Sequence, residues 1–219
     1  RFRVRHFGVA KKGVNSSSFI MDAIEKIVVN NKDIKVWNLS LGSELEVDRN
    51  FISPEAAKLD SLQFNNDIVF IVSGTNKPED QDYSKKIGSP ADSINSIVVN
   101  SVDFNDIPAD YSRTGPVLSF FNKPDLCYYG GTYEDRLTVY APYGKKKTYG
   151  TSFAAPWITR KMAYLIYKMN FTKEVAKEYG ASDIPFSVKS RILFFRILVN
   201  VSAHKHTHNG CHHKSSCPA

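Results

Sequence analysis

The sequence has little of what several protein classes require. Three cysteines among 219 residues are too few for a small domain held by disulfides, which favours a reducing compartment. No run of about 18 apolar residues occurs, so no membrane-spanning helix is predicted. Neither a G-x-G-x-x-G nor a P-loop pattern is present, which disfavours a nucleotide-binding domain. The chain begins at an arginine without a signal-peptide pattern, and we expect a fragment or a processed product.

Basic residues outnumber acidic ones and give a net charge of +7. They crowd the N-terminus, and Lys145, Lys146 and Lys147 form a second run. Such runs are usually solvated, and without aromatic residues interleaved on one face they do not indicate nucleic-acid binding. A basic rim would favour acidic peptides. We therefore expect protein or peptide partners, and neither nucleic acid nor a membrane.

Hydrophobic spacing predicts alternating helices and strands. Residues 68–72 form a continuous, mostly β-branched apolar run, which is typical of a strand buried on both faces of a parallel sheet. Ser53 followed by Pro54 predicts a helix start, with the serine as N-cap. Helices are predicted over about 19–28, 53–64, 152–169 and 188–199, and strands over 2–5, 34–41, 67–73, 93–102 and 137–140. This order predicts an α/β domain with a mostly parallel sheet.

The C-terminal residues differ in kind from the rest of the chain. Residues 1–200 carry the core pattern and are predicted to form the domain, whereas 201–219 hold five of the six histidines and no core pattern. The histidines and cysteines of this tail include metal-ligand types, but their spacing matches no zinc pattern. We predict a disordered or aberrant tail, name no metal site and expect no cofactor.

The segment Gly150-Thr151-Ser152-Phe153-Ala154-Ala155-Pro156 is the most informative part of the sequence. A hydroxyl among small residues at the start of a helix leaves room for a substrate carbonyl. The helix N-terminus offers unpaired N–H groups where an oxyanion would form. Ser152 is therefore a candidate nucleophile. An ordinary N-cap is the alternative that this segment alone leaves open.

Two further segments precede this one in a fixed order. Asn38-Leu39-Ser40-Leu41-Gly42 ends one predicted strand, and Ser73-Gly74-Thr75-Asn76 ends the next. Together with Gly150–Pro156, this order resembles the subtilases, the subtilisin-like serine proteases. The resemblance covers about residues 1–170 and implies a three-layer α/β/α fold, of which we expect the N-terminal part to be missing.

The resemblance implies roles for particular residues in a serine-type endopeptidase. Ser152 matches the nucleophile and Asn76 the oxyanion-hole asparagine, although a turn asparagine is the alternative. The family usually has glycine before this asparagine, whereas Thr75 stands here, so the loop could be one residue longer. Ser40, Leu41 and Gly42 match the strand that pairs with substrate, with a plain strand end as the alternative.

The catalytic aspartate and histidine of the family are not found. No Asp-(Ser/Thr)-Gly or His-Gly-Thr pattern occurs, and His6, the single histidine before Ser152, lacks that context. We read His6 as structural or surface and expect a missing N-terminal segment to supply the Asp and His. This chain alone is then inactive and poorly stable. The alternative function is a pseudoprotease that binds extended peptides without cutting them.

Three residues after the serine motif suggest a subgroup. Trp157, Arg160 and Lys161 stand where secreted subtilases commonly carry histidine and small residues, which resembles intracellular bacterial subtilases. This resemblance implies a cytoplasmic location. The alternative is that Arg160 and Lys161 are merely the exposed face of the helix.

Overall fold

The computed structural model describes residues 3–10, 16–77 and 86–178, and for residues 171–178 the backbone alone. In this part of the chain three helices and eight strands follow one another. They are α1 (Ser17–Asn30), β1 (Val36–Leu39), α2 (Pro54–Asn66), β2 (Val69–Ser73), β3 (Ile97–Val102), β4 (Gly115–Val117), β5 (Phe121–Lys123), β6 (Leu126–Tyr129), β7 (Leu137–Ala141), β8 (Gly144–Thr148) and α3 (Thr151–Glu178).

The main sheet has four parallel strands in the order β1-β2-β3-β6. Every residue of β2 and β3 is buried, whereas β1 and β6 are partly exposed. A strand covered on both faces needs apolar side chains in both directions, which explains the continuous Ile68–Val72 run. The predicted parallel α/β domain is confirmed.

Helices cover both faces of this sheet and create two cores. Phe70 and Val72 point to one face and join a cluster with α1 and α2, as does Ile68 just before the strand. Val69 and Ile71 point to the other face, where α3 supplies Ala154, Ala155, Ile158 and Met162. Alternate residues of one strand therefore serve opposite cores, and the result is the three-layer α/β/α arrangement.

The local signals for α2 are realised as predicted. Ser53 is the N-cap, and its hydroxyl accepts a hydrogen bond from Ala56 N at 3.2 Å. The Asp92 carboxylate in turn accepts from Ser53 N at 2.6 Å and from Ser53 Oγ at 2.8 Å. Burial raises the pKa of Asp92, and these hydrogen bonds oppose the shift. A long-range contact thus fixes the helix start against the loop before β3.

Some predicted elements differ in the structure. The predicted strand at 2–5 is wrong for the described residues, since 3–10 form no regular structure and pair with no described strand. Phe7 instead packs on Trp37, with ring centroids 5.6 Å apart. The predicted strand at 137–140 exists as β7, but it pairs with β8 in an antiparallel hairpin outside the main sheet. The predicted helix at 188–199 and the tail at 201–219 lie outside the described residues.

A buried ion pair connects the β5–β6 turn to β3. Lys123, whose side chain is 0% exposed, contacts the Asp125 carboxylate at 2.7 Å and donates to Ser96 O at 2.9 Å. The same carboxylate accepts from Val98 N at 2.7 Å. The edge of the sheet therefore depends on a charge pair that water does not screen.

None of the described helices is long and apolar enough to span a bilayer.

We expect Lys123→Ala to lower the free energy of unfolding by about 3–5 kcal/mol, because a buried carboxylate loses its counter-charge. Lys58→Ala is the matched control, since Lys58 pairs with Glu25 at the surface, with side chains 33% and 42% exposed. It should cost less than about 1 kcal/mol. Urea denaturation measures both values. Equal losses for the two variants would contradict the role assigned to Lys123.

Candidate active site

The three segments singled out in the sequence meet at the carboxyl end of the parallel strands. Ser40 directly follows β1, Asn76 follows β2 by three residues, and Ser152 lies in the first turn of α3. Parallel neighbours end at the same edge of a sheet, so residues far apart in the chain come together there. Ser152 is only partly buried.

Asn76 is joined to the start of α3 through its side-chain amide. Its Oδ1 accepts from Thr151 N at 3.1 Å and from Thr151 Oγ1 at 2.8 Å. Because a backbone N–H can only donate, the atom facing it must be the carbonyl oxygen. The Asn76 NH₂ group is therefore turned toward Gly150, at 3.2 Å from the point where a Cβ would lie. One side chain thus caps the helix with its oxygen and keeps its two donors at the serine segment.

Glycine is required at position 150. Its φ of 144° is a conformation that side-chain-bearing residues rarely adopt. A Cβ there would also crowd the Asn76 amide. Gly150 N donates to Gly130 O at 3.0 Å, which ties the segment to the end of β6.

Under this turn, burial raises the pKa of Tyr111 to about 12, so its hydroxyl stays protonated and donates to Gly131 O.

The conformation of Thr75 distinguishes a replacement of the family's usual glycine before Asn76 from a loop that is one residue longer. Thr75 itself takes the left-handed conformation, with φ 63°, that glycine adopts readily. Its Oγ1 accepts from Gly88 N at 3.1 Å, and its methyl group lies against Gly42. The structure therefore favours a replacement at the glycine position over a longer loop. The strain is offset by a buried hydrogen bond that glycine could not make.

Ser40 has a contact that the sequence did not indicate. Its hydroxyl donates to Ser152 O at 3.3 Å and receives a hydrogen bond from Asn38 Nδ2 at 3.1 Å. Asn38 Oδ1 accepts from Thr159 Oγ1 at 3.0 Å, about two helical turns beyond Ser152. This relay of side chains holds α3 against the end of β1. Leu41 and Gly42 follow in non-strand backbone beside Thr75.

His6 does not take part in this arrangement. It is exposed, and among the described residues it makes no hydrogen bond with Ser152. No group of three or more histidine, cysteine or acidic residues suited to a metal ion is found in the part of the chain that is described. The described site therefore consists of a serine, amide donors and a helix N-terminus.

A parallel sheet that carries a serine at the start of the helix behind it is an arrangement used by α/β serine hydrolases. The chain belongs to the subtilase family, whose model matches residues 5–182. It is 28% identical over 180 residues to "Subtilisin-like protease 2" of Pseudogymnoascus destructans, covering 81% of this chain.

Solved structures with the same fold include a lanthipeptide protease, with a TM-score of 0.57, 20% identity and 84% of this chain covered. Another is the prenylagaramide maturation protease PagA, with a TM-score of 0.55, 21% identity and 80% of this chain covered. The chain spans 40% of the length of the curated relative, 58% of the lanthipeptide protease and 54% of PagA. The predicted family and fold are confirmed.

We expect Asn76→Ala to lower the free energy of unfolding by about 1 kcal/mol, because Thr151 loses the acceptor for its N–H at the start of α3. Asn65→Ala is the matched control, since the Asn65 amide reaches only the exposed Ser61 hydroxyl. Alanine also favours a helix at that position, so the control should cost nearly nothing. Urea denaturation compares the two, and an equal effect would contradict the capping contact.

Proposed function

We propose that this chain carries the nucleophile and oxyanion hole of a serine-type endopeptidase that acts on proteins or peptides. The observation that carries the proposal is the Asn76 amide, whose oxygen is held by Thr151 while its NH₂ group faces the serine segment. The NH₂ group is bonded to the same carbon as the capping oxygen, so the two hydrogen bonds to Thr151 also fix where the donors lie. Family membership supports the same assignment.

In the proposed reaction, Ser152 Oγ attacks the scissile carbonyl and its proton passes to a base. The carbonyl oxygen becomes an oxyanion that accepts hydrogen bonds from Asn76 Nδ2 and Ser152 N–H. Collapse of the tetrahedral intermediate expels the amine with a proton and leaves an acyl-enzyme on Ser152. Water then hydrolyses the ester and regenerates the serine. The segment Ser40–Gly42 would hold the substrate backbone in extended form.

A base is the part of this reaction that the described residues do not supply. Serine alone is a neutral alcohol at pH 7 and a poor nucleophile. We propose that residues 1–219 by themselves react slowly, and that an Asp and a His in the family's sequence contexts are needed for turnover. The location of the protein in the cell remains a prediction.

A fluorophosphonate probe with added imidazole tests the nucleophile. We expect weak labelling of residues 1–219 that increases with imidazole, because the free base replaces the missing histidine. Ser152→Ala should abolish this labelling, whereas Ser43→Ala, which removes a serine hydroxyl three residues after Ser40, should leave it intact. Mass spectrometry locates the modified residue. Labelling that persists in Ser152→Ala would reject Ser152, and labelling of Ser152 that never responds to imidazole would reject rescue by an added base. Strong labelling without imidazole would reject the requirement for a base.

The same assay tests the oxyanion hole. In subtilisin, loss of one oxyanion-hole donor lowers turnover by ~10²–10³. We expect Asn76→Ala to slow the imidazole-dependent labelling by roughly 10², with Asn65→Ala as the control that leaves the rate unchanged. The rates are compared without urea, at a temperature at which both variants are folded. A rate for Asn76→Ala within twofold of the parent chain would remove Asn76 from the mechanism.

A further inference from the structure

A cavity outside the serine site lies between β6, β7 and α3. Its volume is about 300 Å³, and half of its lining residues are aromatic or aliphatic, namely Phe104, Tyr129, Leu137 and Trp157. Phe104 stacks on Tyr129 with ring centroids 4.0 Å apart, and the Trp157 ring lies 6.1 Å from Tyr128. Phe104 is 72% exposed and Trp157 is 45% exposed, so two large apolar side chains meet solvent at this cavity. Clustered exposed aromatic residues of this kind mark binding surfaces.

The lysine run continues the cavity along one face of the β7–β8 hairpin. Thr138 and Lys147 face each other in the hairpin, and both line the cavity. Because side chains alternate along a strand, Tyr140 and Lys145, two positions further along the register, lie on that same face. The Lys145 ammonium stands 5.8 Å from the centre of the Tyr140 ring. Lys146 opposes Val139 and points to the other face, which meets the cavity only at the base of the hairpin, through Leu137.

The cavity and the hairpin face differ in the charges that they present. Asp135 lines the cavity and disfavours the entry of another carboxylate. Arg136 also lines it, but its guanidinium lies 5.3 Å from the Tyr149 ring and its Nε donates to Tyr133 O at 2.9 Å. Lys147 and Lys145 are exposed on the hairpin, and the Lys161 ammonium lies 4.2 Å from the Tyr128 ring. The cavity thus suits an uncharged side chain, and the hairpin face suits carboxylates.

We propose that this surface, formed by the cavity and by Tyr140, Lys145 and Lys147, binds an acidic polypeptide segment that inserts one aromatic side chain into the cavity. The aromatic ring would pack against Phe104, Tyr129 and Trp157, and the flanking Asp or Glu carboxylates would pair with the two lysines. Charge complementarity of this kind speeds and directs encounter more than it adds affinity.

Because the β7–β8 hairpin lies next to the serine segment in the chain, the bound acidic polypeptide segment would belong to a substrate. Thr148 ends β8 four residues before Ser152, and Gly150 N fixes the connection to Gly130 O. Trp157 lies five residues after Ser152 on α3, about 7.5 Å along the helix axis. A polypeptide held on this surface is therefore close to the serine. The assignment to substrates rests on the proposed function, whereas the binding itself does not.

Fluorescence anisotropy tests the binding without any chemistry. The probe is a fluorescein-labelled octapeptide with a central tyrosine flanked by Asp and Glu, and the protein is residues 1–219 with Ser152→Ala. We expect saturable binding that weakens with salt. Replacing both Lys145 and Lys147 by Glu reverses their charge and should raise Kd roughly tenfold or more, since each attractive pair of a lysine with a peptide carboxylate becomes a repulsive pair of carboxylates. Lys146→Glu makes the same kind of change on the opposite face of the same strand and should change Kd less than twofold.

Two probe variants define the ligand. A peptide with glycine in place of the tyrosine should bind more weakly by about tenfold, because it loses the burial of one ring. A peptide with Asn and Gln in place of the acids should lose the response to the lysine reversals. Equal effects of Lys146→Glu and of the double reversal would overturn the proposed face. Equal affinity of the glycine peptide would overturn the cavity as the anchor, and equally tight binding of oligothymidylate would overturn the choice of a polypeptide.

The results also separate this inference from the proposed function. If Ser152 resists labelling while the peptide binds with the expected variant pattern, the endopeptidase proposal fails and the acidic-segment surface stands. If Ser152 is labelled as expected and the peptide does not bind, the surface is rejected and the endopeptidase proposal is unaffected.

Discussion

Burial of β2 and β3 on both faces is the constraint that the rest of the structure obeys. Phe70 and Val72 need the cover of α1 and α2, and Val69 and Ile71 need the cover of α3. With both faces closed, the strand ends are the places where backbone and polar side chains can reach a substrate. The chain places Ser40 and Asn76 at two of these ends. The same packing that stabilises the domain therefore decides where chemistry can occur.

The Asn76–Thr151 contact converts this packing into a defined geometry. Without it, the amide of Asn76 could rotate and the start of α3 would lack an acceptor for Thr151 N–H. The relay from Thr159 through Asn38 and Ser40 to Ser152 O acts from the opposite side of the helix start. Both sets of hydrogen bonds end on backbone groups of the serine segment. The ends of β1 and β2 thus both position the serine segment.

Local sequence signals predicted those parts of the fold whose causes are local. The cap of α2 follows from Ser53 and Pro54, and the buried strand follows from the run at 68–72, since each depends on residues next to one another. Pairing partners could not be found in the same way. The pattern at 137–140 is the same for a sheet strand and for a hairpin strand, and residues 3–5 have strand propensity without a described neighbour to pair with. Whether a strand forms depends on a partner, and that partner is often far along the chain.

The sequence by itself indicated the family and the candidate nucleophile Ser152, because three motifs stand in a fixed order, and the resemblance implied the layered fold. Hydrophobic spacing predicted the α/β domain with its parallel sheet, because that spacing depends on residues close together in the chain. Only the tertiary structure decided how Asn76 is aimed, that Thr75 takes a left-handed conformation, and that Ser40 contacts the carbonyl of Ser152. It also decided that two of three consecutive lysines share a face with an aromatic cavity. The contacts of Asn76 and Ser40 cross 75 and 112 positions in sequence, and no local pattern records the direction of side chains across such separations.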